Sequence, residues 1–190
     1  MNKSGKFELL RKKIEEIIIN SPLDFDLMHA KLVFKWVLKL KPDADEPLKI
    51  AALAHDIERG VTGITEKDLK DNSKLEEFKR EHAMRSAKII TEMMERHGYD
   101  KETVHKVRFL VEKHEEGGDE ETNLLMEADS LAFFEYNIPF KLKRDGKEKI
   151  IKKIRFMYLR LSETGKKLVK EMKFKDDEIA KVFREALSGI

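Results

Sequence analysis

The stretch from Pro47 to Ile57 limits the fold more than any other part of the chain. It reads Pro-Leu-Lys-Ile-Ala-Ala-Leu-Ala-His-Asp-Ile. Leu48, Ile50, Ala51, Ala52, Leu53, Ala54 and Ile57 cover nearly the whole circumference of a helix running from about 48 to 57. A helix apolar almost all round has to be enclosed by other elements, and Pro47 suits its first turn.

The segments available to enclose it also read as helices. Ser21-Pro22 resembles an N-cap followed by proline, opening a helix to about residue 40. Leu27, Ala30, Val33, Phe34 and Val37 form its apolar face, and Pro42 ends it. Thr65-Glu66-Lys67-Asp68 resembles a capping box with Asp in the usual Glu position. A long helix is expected over about 74–97, with Gly98 as its stop. Asp100 caps another, to about 114, and Gly117-Gly118 breaks it. Thr122 or Asn123 opens the next, carrying Leu124, Leu125, Ala128, Leu131, Ala132 and Phe133. Pro139 and Gly146 punctuate a turn region, followed by a basic helix over about 147–161 and a shorter one over 177–187. No strand-like alternation, repeat or low-complexity linker interrupts this pattern. The expected fold is an all-α bundle forming a single domain over 1–190. Its core spans about 20–140, and a basic C-terminal helical extension spans about 141–190.

The chain has no cysteine. That excludes disulfides, thiolate metal sites and a cysteine nucleophile, so a metal ion would have to be held by His, Asp or Glu. No apolar run approaches the roughly 20 residues of a membrane span, and no membrane partner is expected. Residues 1–13 are charged and lack an apolar stretch before a small-residue cleavage site, which points to a cytoplasmic protein.

A net charge of +2 argues against a general polyanion binder. The charge is uneven, however. Residues 141–175 hold 14 Lys and Arg against Asp145, Glu148, Glu163 and Glu171, a local excess of ten. A solvated helix face explains this run. So does a field that steers an anionic substrate, or a patch for nucleic acid. Only Phe156, Tyr158 and Phe174 interleave as aromatics, Phe156 reads as core, and no nucleic-acid motif is recognisable. Met157 and Phe183 suit either the core or the face of a homodimer.

The chemistry gathers in histidines and two aspartates. His55 and Asp56 sit side by side in the most apolar helix of the chain, where burying either without compensation is costly. His29, His82 and His114 belong to other expected helices, and Asp129 lies within the apolar stretch 124–134. A helical bundle can aim such residues at one point. Imidazole with carboxylate suits Fe, Mn, Ni, Co or Zn better than Mg or Ca. Each residue taken alone has a plainer explanation: a core histidine with a hydrogen bond, or an aspartate paired with arginine. His97, just before Gly98, reads as a helix C-terminal histidine, and His105 reads as surface.

His29, the tandem His55-Asp56 and Asp129 together resemble the His…His-Asp…Asp signature of the HD superfamily of metal-dependent phosphohydrolases. The resemblance spans about 24–135. The stretches 51–59, 98–114 and 127–135 also resemble an uncharacterised HD-type family of unknown function. The resemblance implies that His29, His55, Asp56 and Asp129 ligate a first divalent transition-metal ion. His82 and His114 would hold a second with Asp56 bridging, or else contact a substrate phosphate. The short, acidic connection between His114 and Asp129 departs from the superfamily pattern.

The expected activity is hydrolysis of a nucleotide or other small phosphorylated metabolite, with Asp56, Glu58 and Arg59 as catalytic residues. Arg59, one turn beyond Asp56, is the first candidate for the substrate phosphate, followed by Arg85, Lys88 and Lys113. Glu58 suits a general base or a group that orients a ligand histidine. Surface ion pairs would account for these charges equally. Two other functions fit the same residues: a nucleic-acid-binding module with a structural metal site, and a di-iron oxygenase.

Overall fold

A computed structural model describes residues 3–190, so the first two residues of the charged N-terminal stretch lie outside the described ones. Among the described residues there is no strand, and the fold is all-α. No helix among them is long and apolar enough to cross a membrane. The chain divides into two compact units, with the boundary between Met126 and Glu127.

The first unit contains α1 (Lys3–Ile18), α2 (Asp26–Leu40), α3 (Glu46–Ala54), α4 (Glu58–Thr62), α5 (Leu75–Arg96), α6 (Lys101–Lys113) and the start of α7 (Glu120–Ala132). As its composition requires, α3 is central and packs against α1, α2, α5 and α6. Leu48, Ile50 and Leu53 are fully buried, each worth about 1.5–3 kcal/mol of apolar transfer. Asp45 caps α3 by accepting from the Leu48 amide at 3.0 Å, with Pro47 in the first turn.

Three boundaries differ from the sequence expectation. The apolar helix ends at Ala54 rather than Ile57. A tight turn follows, in which the Ile57 amide bonds Ala54 O, and the chain re-enters helix at Glu58. The tandem His55-Asp56 therefore sits on a turn between helices. Ser21 does not start α2, which begins at Asp26. Its hydroxyl accepts from the Leu23 amide and donates to Asp26 Oδ2 at 2.6 Å, organising the turn ahead of the helix. The start of α7 is also earlier than expected, because Asp119 Oδ1 accepts from the Thr122 amide at 2.8 Å and takes the capping role. The capping box at Thr65 and Asp68 is present, on a short 3-10 turn.

The second unit holds the end of α7, a π-helical turn (Phe133–Asn137), α8 (Ile138–Asp145), α9 (Lys147–Leu159), α10 (Glu163–Glu171) and α11 (Asp177–Leu187). The expected turn at Pro139 is helical, because proline sits in the first turn of α8, where its missing amide is no loss. The basic helix stops at Leu159, and Ser162 caps α10 by accepting from the Gly165 amide. Helices α1 and α10 go beyond the expected set.

Ile150, Ile154, Met157 and Tyr158 form the buried face of α9, and Phe183 is buried on α11. Core packing thus accounts for both Met157 and Phe183. Phe156 is not core: it falls off that face, is 43% exposed, and lies under Lys153 and Arg160.

Candidate metal centre

Four helical elements of the first unit deliver one polar group into an apolar interior. His29 comes from the first turn of α2, and His55 and Asp56 from the turn after α3. His82 comes from the buried stripe of α5, and His114 from the C-terminal end of α6. All five are buried. Two groups of potential ligands result: His29, His55 and Asp56, and Asp56, His82 and His114. In each group the donor atoms lie within 4.8 Å of one another, and Asp56 belongs to both. The rings form a chain by edge contacts, His29 to His55 at 5.4 Å, His55 to His114 at 5.3 Å and His114 to His82 at 6.0 Å.

Local backbone sets the histidine tautomers. His55 Nδ1 lies 3.1 Å from Ala52 O, and His114 Nδ1 lies 2.7 Å from Val111 O. A carbonyl only accepts, so both Nδ1 atoms carry the proton and both Nε2 atoms present a lone pair. Metal-binding imidazole needs this state, with its outer nitrogen tied to a carbonyl or carboxylate. The donor set therefore fits a divalent transition-metal ion.

His82 is held between two carboxylates. Its Nδ1 lies 2.7 Å from Glu58 Oε2, and its Nε2 lies 2.8 Å from Asp56 Oδ1. Burial pushes its pKa down, but Asp56 and Glu58 outweigh burial and raise it. Burial pushes Asp56 up, yet Arg59, His55 and His82 hold it well below the usual carboxylate range. Glu58 is fully buried. Its Oε1 accepts from Arg85 Nε at 2.7 Å and from Thr62 Oγ1 at 3.0 Å. These bonds with His82 outweigh burial and lower its pKa. Ser86, on the same stripe of α5 as His82, accepts from the Glu58 amide at 3.3 Å.

The expected phosphate-binding cations are placed less uniformly. Arg59 Nη1 donates to Asp56 Oδ2 and lies 3.5 Å from Asp26 Oδ1. Burial works against the Arg59 charge, and the two aspartates more than restore it. Arg85 joins Glu58 to Glu81. Lys113 pairs with Glu116 at 2.7 Å, and Lys88 is exposed on α5. Asp129 belongs to the second unit, where its carboxylate accepts from Arg160, which also donates to Ser130 Oγ at 2.6 Å. The two histidines set apart as structural behave so: His97 Nδ1 meets Met93 O at 2.7 Å, and His105 is exposed.

Asp26 was not singled out from the sequence. It is buried beside Arg59 and bonded to Ser21. Burial raises its pKa, with Arg59 opposing. Its position one turn before His29, on the same face of α2, is the signal that could have found it.

Fold and site together define an all-helical protein with a buried His/Asp cluster able to hold a metal ion. Residues 13–182 match the model of a family described as a domain of unknown function (DUF4202), and the chain belongs to that family. No curated protein matches the chain, and no solved structure matches it.

Proposed function

We propose that the protein is an HD-type metal-dependent phosphohydrolase acting on a nucleotide or other small phosphorylated metabolite. The observation that carries this is the sharing of Asp56 between two histidine-containing groups buried in one helical unit. His29, His55 and Asp56 would hold one ion, and Asp56, His82 and His114 a second. Such an ion supplies a water of lowered pKa and polarises a phosphoryl oxygen.

The remaining work falls to the chain's own side chains. Glu58 keeps the proton of His82 on Nδ1, which turns Nε2 toward Asp56. Arg85 and Thr62 hold Glu58 in place, so its role is to orient His82. Arg59 borders Asp56 and offers a planar pair of donors suited to a phosphate oxygen pair. Apolar α3 behind the cluster keeps water from the rear of the site.

The test begins with metal content, measured on protein purified without added metal or chelator. Wild type should carry Fe, Mn, Ni, Co or Zn, and His55→Ala/Asp56→Ala should lose it. Wild type loaded with that metal should then release phosphate from members of a panel of phosphorylated small molecules. Protein that neither carries nor takes up these metals refutes the proposal. Iron-dependent oxygen consumption without phosphate release would move the assignment to a di-iron oxygenase. Strongly salt-dependent nucleic-acid binding without hydrolysis would move it to a binding module.

A further inference from the structure

The sequence suggested Arg59, Arg85, Lys88 and Lys113 as cations for the substrate, but a fifth cation is better placed. Lys79 lies three residues before His82, about 60° round α5 from it and one turn nearer the helix N-terminus. It belongs to the buried stripe of that helix, Lys79, His82, Ala83, Ser86, Ala87, Ile90 and Met94. His82 and Ser86 of this stripe contact Asp56 and Glu58. Lysine is seldom buried, yet Lys79 is 7% exposed. Its neighbour Phe78 stacks on the His82 ring, with the planes 8° from parallel, which fixes this part of α5 against the cluster.

The bond Lys79 makes is one that a ligand could replace. Its Nζ donates to Glu76 Oε1 at 3.0 Å, and the Glu76 side chain is 71% exposed. A carboxylate that far into solvent holds a cation weakly. A phosphate held near His82 would meet the same ammonium where water is largely excluded and the attraction is stronger.

The alternatives are placed otherwise. Arg85 Nε is committed to the carboxylate that orients His82. Lys88 lies six residues beyond His82, about 240° round the helix, and is exposed. Lys113 is spent on Glu116. We infer that Lys79 binds the phosphate of the substrate, on the face of α5 that carries His82. This rests on the hydrolase proposal.

The test measures binding of inorganic phosphate to metal-loaded protein by calorimetry, with metal content determined for every sample. Wild type should bind phosphate, and Lys79→Met should keep its metal but bind phosphate about tenfold to a hundredfold more weakly, the loss expected of one charged hydrogen bond. Lys79→Arg should recover much of the affinity, and the exposed Lys12→Ala should match wild type. Wild-type affinity in metal-loaded Lys79→Met would overturn the assignment while leaving the hydrolase proposal standing. Loss of metal from Lys79→Met would also overturn it, because Lys79 would then support the metal centre instead. Metal-loaded wild type that binds no phosphate would remove the hydrolase proposal and this assignment with it.

Discussion

Glu58 Oε2 lies 2.7 Å from His82 Nδ1, and both residues are fully enclosed by the first unit. A buried carboxylate behind a histidine fixes its ring and tautomer and makes its other nitrogen a better donor. Glu58→Gln keeps the shape but not the charge. It should weaken metal affinity by about 10–100-fold while the helical signal is retained. Titrating metal-free protein with the resident metal measures this, and an unchanged affinity would show that Glu58 does not tune His82.

Removing the metal should cost stability, because the ion binds only the assembled cluster. At free metal about 100 times its dissociation constant, binding contributes about 2.7 kcal/mol. Thermal unfolding with and without chelator should show a clear drop in midpoint for wild type. His55→Ala/Asp56→Ala should show no chelator effect. An equal chelator effect in both proteins would place the stabilising ion elsewhere.

Gly60 marks a close approach between α4 and α1. A Cβ there would lie 2.2 Å from the Ile17 carbonyl oxygen and 2.7 Å from its carbon, and these are backbone atoms that cannot swing aside. Gly60→Ala should destabilise by about 1–3 kcal/mol, the usual range for overpacking. Urea denaturation reads the change, and an unaffected midpoint would mean that the two helices part freely.

Asp45 caps α3 and pairs with Lys106 at 2.7 Å. Burial pushes its pKa up, but the Lys106 and Leu48 bonds outweigh that and lower it. Asp45→Ala should cost about 1 kcal/mol near neutral pH, the typical value of a lost N-cap. A depressed folded pKa means the contribution is present above the unfolded value, about 3.9, and is lost as pH falls through the folded value. The gap between wild type and variant should therefore close in acid below that point. A gap that persists there would mean the carboxylate charge is not what stabilises the cap.

Neighbouring positions on α9 should respond very differently to truncation. Ile154 is fully buried and Phe156 lies on the surface. Ile154→Ala should cost about 2–5 kcal/mol, and Phe156→Ser should stay within about 0.5 kcal/mol. Comparable losses in chemical denaturation would show that Phe156 is covered in solution.

Helix identity was legible wherever a local signal was strong. Gly98 after α5, Asp100 before α6 and the capping box at Thr65 act through their own backbone neighbours, so their effect can be read from spacing. Competing polar groups made other positions ambiguous. Ser21 could cap a helix at Pro22 or bridge to Asp26, and only the path of the turn chose the second. Asp119 and Thr122 both carry capping oxygens, and the bond to the Thr122 amide assigns the role to Asp119. Phe156 was misread because hydrophobicity does not reveal helical phase, and the face packed against α11 determines it.

The sequence by itself determined the all-helical architecture, the burial of α3 and the chemistry of the donor set. These follow from apolar periodicity, from the absence of cysteine and from the cost of placing His55 and Asp56 among alanines and leucines. Tertiary structure decided the rest. It brought His29, His82 and His114 around Asp56 from separate helices, and it tied Glu58 and Arg85 behind His82. Spacing along the chain cannot specify these relations. They depend on how helices distant in sequence cross, and that is settled only when the whole unit closes around its apolar centre.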